Sequence, residues 1–136
     1  MNAKQYLSQA YLLDHRIESL LEELTDLRSR ADSIGGFKTG DRVQTPQKKD
    51  APYVDTVLKI IDLERYIDGL TDELIDLKKD IDLSIESVND LDEKLLLRYR
   101  YVNGHTWERI AVDMNISIRT VHRLHRRALQ NFIVPK

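Results

Sequence analysis

Apolar residues recur along the start of the chain at alternating spacings of three and four: Ala3, Tyr6, Ala10, Leu13, Ile17, Leu20, Leu24, Leu27, Ala31 and Ile34. A mean period of about 3.5 residues predicts a long helix with an a/d seam. Asp14, Arg16, Glu18, Glu22, Glu23, Asp26, Arg28 and Arg30 fall between the seam positions and form a solvated face. Gly35-Gly36 predicts the end of that helix, because glycine tolerates the left-handed geometry of a C-cap. From there to Pro52 the glycines, prolines and polar residues predict a long mobile loop, about residues 35–52.

A second seam follows in Ile60, Leu63, Ile67, Leu70, Leu74, Leu77, Ile81 and Val88, broken once at Ser84 beside Ile85. Gly69 lies inside it and costs roughly 1 kcal/mol relative to alanine. Two heptad helices of similar length joined by a loop most simply fold back as an antiparallel coiled-coil hairpin. Such a hairpin has a thin core, so self-association is expected, a dimer first.

The pattern changes at Asn89-Asp90. Asp90 and Glu93 have the side chains of a helix N-cap and its N3 partner, opening a helix from Leu91 to about Val102 with Leu95, Leu96, Tyr99 and Val102 on its inward side. Asn103-Gly104 predicts a turn. Thr106 can cap a short helix to about Met114, and Ser117 another from Ile118 to about Phe132. Ala111 is a small residue for a close helix crossing, Asn115 four positions on tolerates positive φ, and β-branched Val121 lies ten positions after Ala111. That combination is what a helix-turn-helix unit requires, with Ile110, Met114, Ile116, Val121 and Leu124 as its small core. The expected architecture is therefore all-α: a long hairpin over 1–89, then a helix-turn-helix domain over 90–136.

Charge sharpens this division. Residues 1–89 carry 12 Lys and Arg against 18 Asp and Glu, whereas residues 90–136 carry 9 against 5. The acidic body and basic end point to an anionic partner for the end alone. In the last helix Val121, Leu124, Ala128, Leu129 and Phe132 point inward, while Arg119, His122, Arg123 and Arg126 lie opposite, with Arg127 at the margin. Four arginines and no acid between Ser117 and Phe132 suit phosphates and guanine edges of double-stranded DNA. Ile118, Arg119, His122 and Arg123, near the helix start, are expected at base edges, and Thr120 among them is expected to bind DNA as well. Arg126 and Arg127, with Thr106 and Trp107 at the start of the preceding helix, are expected at phosphates.

Other chemistries are not expected. With no cysteine, neither disulfides nor thiolate metal sites can form, and an intracellular, reducing compartment is the natural reading. No apolar run reaches the ~20 residues of a bilayer span, and Met1-Asn2-Ala3-Lys4 does not begin a signal peptide. His122 and His125 have metal-compatible spacing but no third ligand in their helix. No phosphate loop, nucleophile motif or cofactor fingerprint is present, so neither catalysis nor a cofactor is expected.

The stretches Leu95-Leu96-Leu97-Arg98-Tyr99-Arg100-Tyr101, Thr106-Trp107-Glu108-Arg109-Ile110-Ala111 and Ser117 to Leu129 resemble region 4 of the bacterial sigma-70 family. The whole chain, with Asn2-Ala3-Lys4-Gln5-Tyr6-Leu7 and Ile60-Ile61-Asp62-Leu63-Glu64, is similar to small sigma-like proteins of phages and prophages of Gram-positive bacteria, related to late-transcription regulators of the RinA and ArpU type. The resemblance implies a phage- or island-encoded activator of late operons in the cytoplasm of a bacterial host, with RNA polymerase as a second partner. Nothing resembles sigma region 2, so the implied protein recruits polymerase or acts beside a host sigma. A packaging adaptor akin to a phage small terminase, and a polymerase-binding protein that does not touch DNA, are the alternatives.

Overall fold

A computed structural model describes residues 1–36 and 47–136, and the described residues are helical, without strands. Helix α1 spans Ala3–Gly36 and α2 spans Gln47–Glu86. Three shorter helices follow: α3 Leu91–Leu97, α4 Trp107–Met114 and α5 Ile118–Asn131. A π-helical stretch, Arg98–Val102, continues α3. Among the described residues no helix is long and apolar enough to cross a membrane.

The first helix opens on a reciprocal cap that the heptad pattern did not signal. The Gln5 backbone N–H donates to Asn2 Oδ1 at 2.8 Å, and the Asn2 N–H donates to Gln5 Oε1 at 3.0 Å. At the other end both Gly35 and Gly36 remain helical. Of the expected loop at 35–52, residues 37–46 lie outside the described residues, and 47–52 belong to α2 rather than to a loop. Pro52 sits inside that helix. A proline removes one backbone donor there, and the helix continues into the apolar repeat beyond it.

The chain divides into two compact units, and the division differs from a boundary at 89/90. One comprises His15–Asp72. Its core is Ile17, Leu24 and Ala31 from α1 with Ile67 and Leu70 from α2, all buried. Arg28 pairs with Glu64 at 2.7 Å, and Arg16 donates to the Tyr66 hydroxyl. Val54, Leu58 and Ile61 leave an exposed apolar strip along α2.

The other unit comprises Met1–Asp14 and Glu73–Lys136, the two ends of the chain. Leu7 and Ala10 of α1 and Leu74, Ile81 and Ile85 of α2 are buried in it, with Val88 just after α2. The seam break at Ser84 has a local cause: its hydroxyl lies 3.1 Å from the Tyr6 hydroxyl, and Ile85 takes the fully buried place. From the C-terminal elements come Leu96, Leu97, Tyr101, Ile110, Ala111, Val121, Leu124, Ala128 and Phe132. The Tyr6 and Phe132 rings stack with centroids 6.0 Å apart.

The inward face of α3 differs from the expected one. Glu93, Leu96 and Leu97 are buried, with Tyr101 in the π-helical stretch, whereas Leu95 is partly exposed and Leu91 is largely exposed. A glutamate at the inward position hid the true face from a reading of apolar spacing. Asp90 caps α3, accepting from the Asp92 and Glu93 backbone N–H groups. The Glu93 side chain does not return to Asp90 but enters the core, where it accepts from Arg127 Nε at 2.9 Å and from Asn131 Nδ2 at 3.2 Å.

Candidate nucleic-acid interface

The α4–α5 connection is set by three local devices. Thr106 Oγ1 accepts from the Arg109 N–H at 3.2 Å and starts α4. Asn115 ends it in the left-handed region, φ 57°, a conformation that most L-residues avoid and asparagine tolerates. Ser117 Oγ accepts from the Thr120 N–H at 3.1 Å and starts α5. Ala111 is buried, and the Ile116 N–H reaches its carbonyl at 3.0 Å, so the chain turns tightly. Ile110 and Val121 are wholly buried and Leu124 nearly so. Met114 and Ile116 are half-buried at the edge of the same core.

This packing commits one face of α5 and leaves the other outside. Arg119, His122, Arg123 and Arg126 line a single surface cleft, and all four are exposed. Among the described residues none of the three arginines has a carboxylate partner. Ile118, at the head of the same helix, is 39% exposed. Thr120 is half-buried and its hydroxyl is held by Ser117 Oγ at 2.9 Å, which leaves it less free than its neighbours.

Arg127 does not join that face. Besides Glu93 it pairs with Asp90 at 3.7 Å, so it ties α5 to α3. The expectation that it holds phosphate overlooked the acid because that acid lies 34 residues earlier in the chain. Thr106 and Trp107 are placed at the head of α4 as expected, but each has an internal task, the first as cap and the second as a packing surface.

Trp107 is the centre of a cluster of rings. His125 lies 4.6 Å and His122 5.2 Å from it, centroid to centroid, and the Arg100 guanidinium carbon sits 4.2 Å from its centroid. Arg100 Nη1 also donates to the His105 carbonyl at 3.0 Å. His125 Nε2 lies 2.7 Å from the Tyr101 hydroxyl. Burial, reinforced by the charges of Lys4 and Arg100 and by neighbouring His122, lowers the His125 pKa to about 4, so its ring is neutral near pH 7. Burial raises that of Tyr101, which is therefore a neutral phenol. The two histidines are thus engaged with aromatic groups, and no group of three or more metal-ligating side chains occurs among the described residues.

Arg100 and Lys4 were not among the expected site residues. The alternation Arg98-Tyr99-Arg100-Tyr101 was a visible signal, but which arginine turns toward α4 depends on the π-helical turn. Arg98 instead pairs with Asp82 of α2.

No curated protein and no solved structure matches the chain. Residues 35–132 match the family described as a protein of unknown function, DUF1492. That span covers well over half of the sequence and runs through α2 to the end of α5, and the chain belongs to this family.

Proposed function

We propose that the chain is a sequence-specific double-stranded DNA-binding transcription regulator, an activator of late genes in a phage or mobile element that recruits RNA polymerase. In this reading α4 and α5 are a helix-turn-helix and α5 enters the major groove. The observation that carries it is the exposed face of α5, where Arg119, Arg123 and Arg126 stand without acid partners beside His122. Guanidinium groups held close together repel one another, and a fold that needs only solubility mixes signs. The left-handed Asn115 and buried Ala111 support the assignment, being the local geometry of a tight helix–turn–helix crossing.

Helices α1 and α2 serve in this reading as an antiparallel coiled-coil hairpin for self-association, a dimer first. Within the unit of residues 15–72, Arg16 meets Tyr66 and Arg28 meets Glu64, so partners fall back along α2 as the numbers rise along α1. The strip of Val54, Leu58 and Ile61 is a surface that a second copy would cover.

The test is a titration of the purified chain against fragments of its own genomic neighbourhood, with excess competitor DNA at two salt concentrations. Selective retention of an upstream-promoter fragment, abolished in the double variant Arg119→Ala/Arg123→Ala, is the expected result. Weak and uniform retention would overturn the sequence-specific reading in favour of a packaging adaptor or a polymerase-binding protein.

A further inference from the structure

We propose that Lys4 at the head of α1 and Arg100 in the π-helical stretch are further contacts to the DNA phosphate backbone, so that the interface extends beyond α4 and α5 to the opposite end of the chain. The inference rests on the reading of α5 as a DNA-binding helix.

The ring cluster supplies the geometry. His122 lines the arginine cleft and also packs on Trp107, and Arg100 covers that same indole. Arg100 is therefore held close to the edge of the cleft by a stacked contact and by one donated hydrogen bond. A guanidinium has five N–H donors, so most of its capacity is unused within the chain. Lys4 reaches the same neighbourhood from elsewhere in the sequence. The first turns of α1 pack into this unit through the wholly buried Leu7 and the stack of Tyr6 on Phe132. The charges of both cations oppose protonation of His125, one turn along α5 from His122.

Electrostatics says what this arrangement lacks. Among the described residues neither Lys4 nor Arg100 has a carboxylate partner. Lys4 is exposed in the first turn of a helix that has no acid there. The positive end of the helix dipole disfavours a cation at that place. Lys4 is thus unfavourably placed for the isolated chain, and Arg100, near the other cations, gains nothing from them. An anion outside the protein relieves both. A duplex seated on α5 carries a row of phosphates past the flank of the helix, and in this proposal Arg100 on Trp107 and Lys4 in the first turn of α1 meet them.

The test uses the full chain and a labelled random-sequence duplex, because phosphate binding does not depend on sequence. Affinity is measured as a function of NaCl. Removing one cation that neutralises a phosphate reduces the slope of log K against log salt by about 0.9. Lys4→Gln and Arg100→Gln are each expected to flatten the slope by about that amount and to weaken binding several-fold at low salt. Arg100→Lys, which keeps the charge, should retain the slope. Lys59→Gln removes the same charge from the other unit, where Lys59 pairs with Asp55, and should leave the slope unchanged. Lys4 is exposed, so its removal does not threaten folding, and helix content by circular dichroism checks the arginine variants. A Lys4→Gln slope equal to wild type, or a Lys59→Gln slope reduced as much, overturns this proposal and leaves DNA binding by α5 intact. A wild-type chain with no salt-sensitive binding overturns the DNA reading itself and this proposal with it.

Discussion

Arg126 and Arg127 are neighbours with the same charge and opposite surroundings. The first lines the open cleft, while the second is bonded to a glutamate whose side chain is 3% exposed. Removing one partner of a buried ion pair costs about 3–5 kcal/mol. Arg127 is itself half exposed and Asn131 still donates to Glu93, so Arg127→Ala should cost about 1–3 kcal/mol in a urea titration. Arg126→Ala should stay within about 0.5 kcal/mol of wild type; equal losses for the two would show that the Glu93 pair contributes nothing. His125 makes the matching pH argument. Its folded pKa of about 4 lies below the ordinary 6.5, so between those values the unfolded chain binds the extra proton. Its contribution to stability is complete above pH 6.5 and disappears as pH falls toward 4. Full burial would make that about 3 kcal/mol, and a half-buried ring makes it about 1–2 kcal/mol. Unfolding midpoints at pH 7 and 4.5 should therefore differ less in His125→Gln than in wild type. Parallel losses would remove His125 as a cause.

At the scale of the element, two glycines separate the needs of a helix from those of a turn. A Cβ added at Gly69, inside α2, meets nothing within 4 Å, so Gly69→Ala should raise stability by about 0.5–1 kcal/mol. Gly104 has equally open space but φ +71°, and Gly104→Ala should lower stability by about 1 kcal/mol. Thermal melts of the two variants should move in opposite directions. The elements themselves were largely legible in the sequence, because heptad spacing, Thr106, Ser117 and Asn115 act over a few residues. Ala10, Ile17, Leu24 and Ala31, one line of the first seam, are buried, with Leu13, Leu20 and Leu27 half-buried, whereas the wholly buried Leu7 lies outside that seam. The cationic face of α5 was legible for the same reason, since it needs only the helix period. What escaped were facts that need distance in space: Glu93 turned inward to meet Arg127, Arg100 rather than Arg98 over Trp107, and the charge of Lys4 acting on His125.

At the scale of the whole molecule, a continuous 3.5-residue repeat conceals a change of partner. The same helix α1 serves the unit of residues 15–72 and, through its first turns, the unit that contains α5. A fragment of residues 90–136 alone would lack Leu7, Ala10, Ile81, Ile85 and Val88, which are buried in that unit. It should show lower helix content and a broader thermal transition than the full chain by circular dichroism. A fragment as cooperative as the whole would make the α3–α5 segment a self-sufficient domain. The union of the two chain ends also has a consequence in time. Synthesis runs at about 5–20 residues per second, so on the order of ten seconds separate the emergence of α1 from that of α5. Over that interval Tyr6 waits for a native partner, Phe132, that has not been translated, and a ribosome that stops short of it releases a chain whose first turns lack that ring contact.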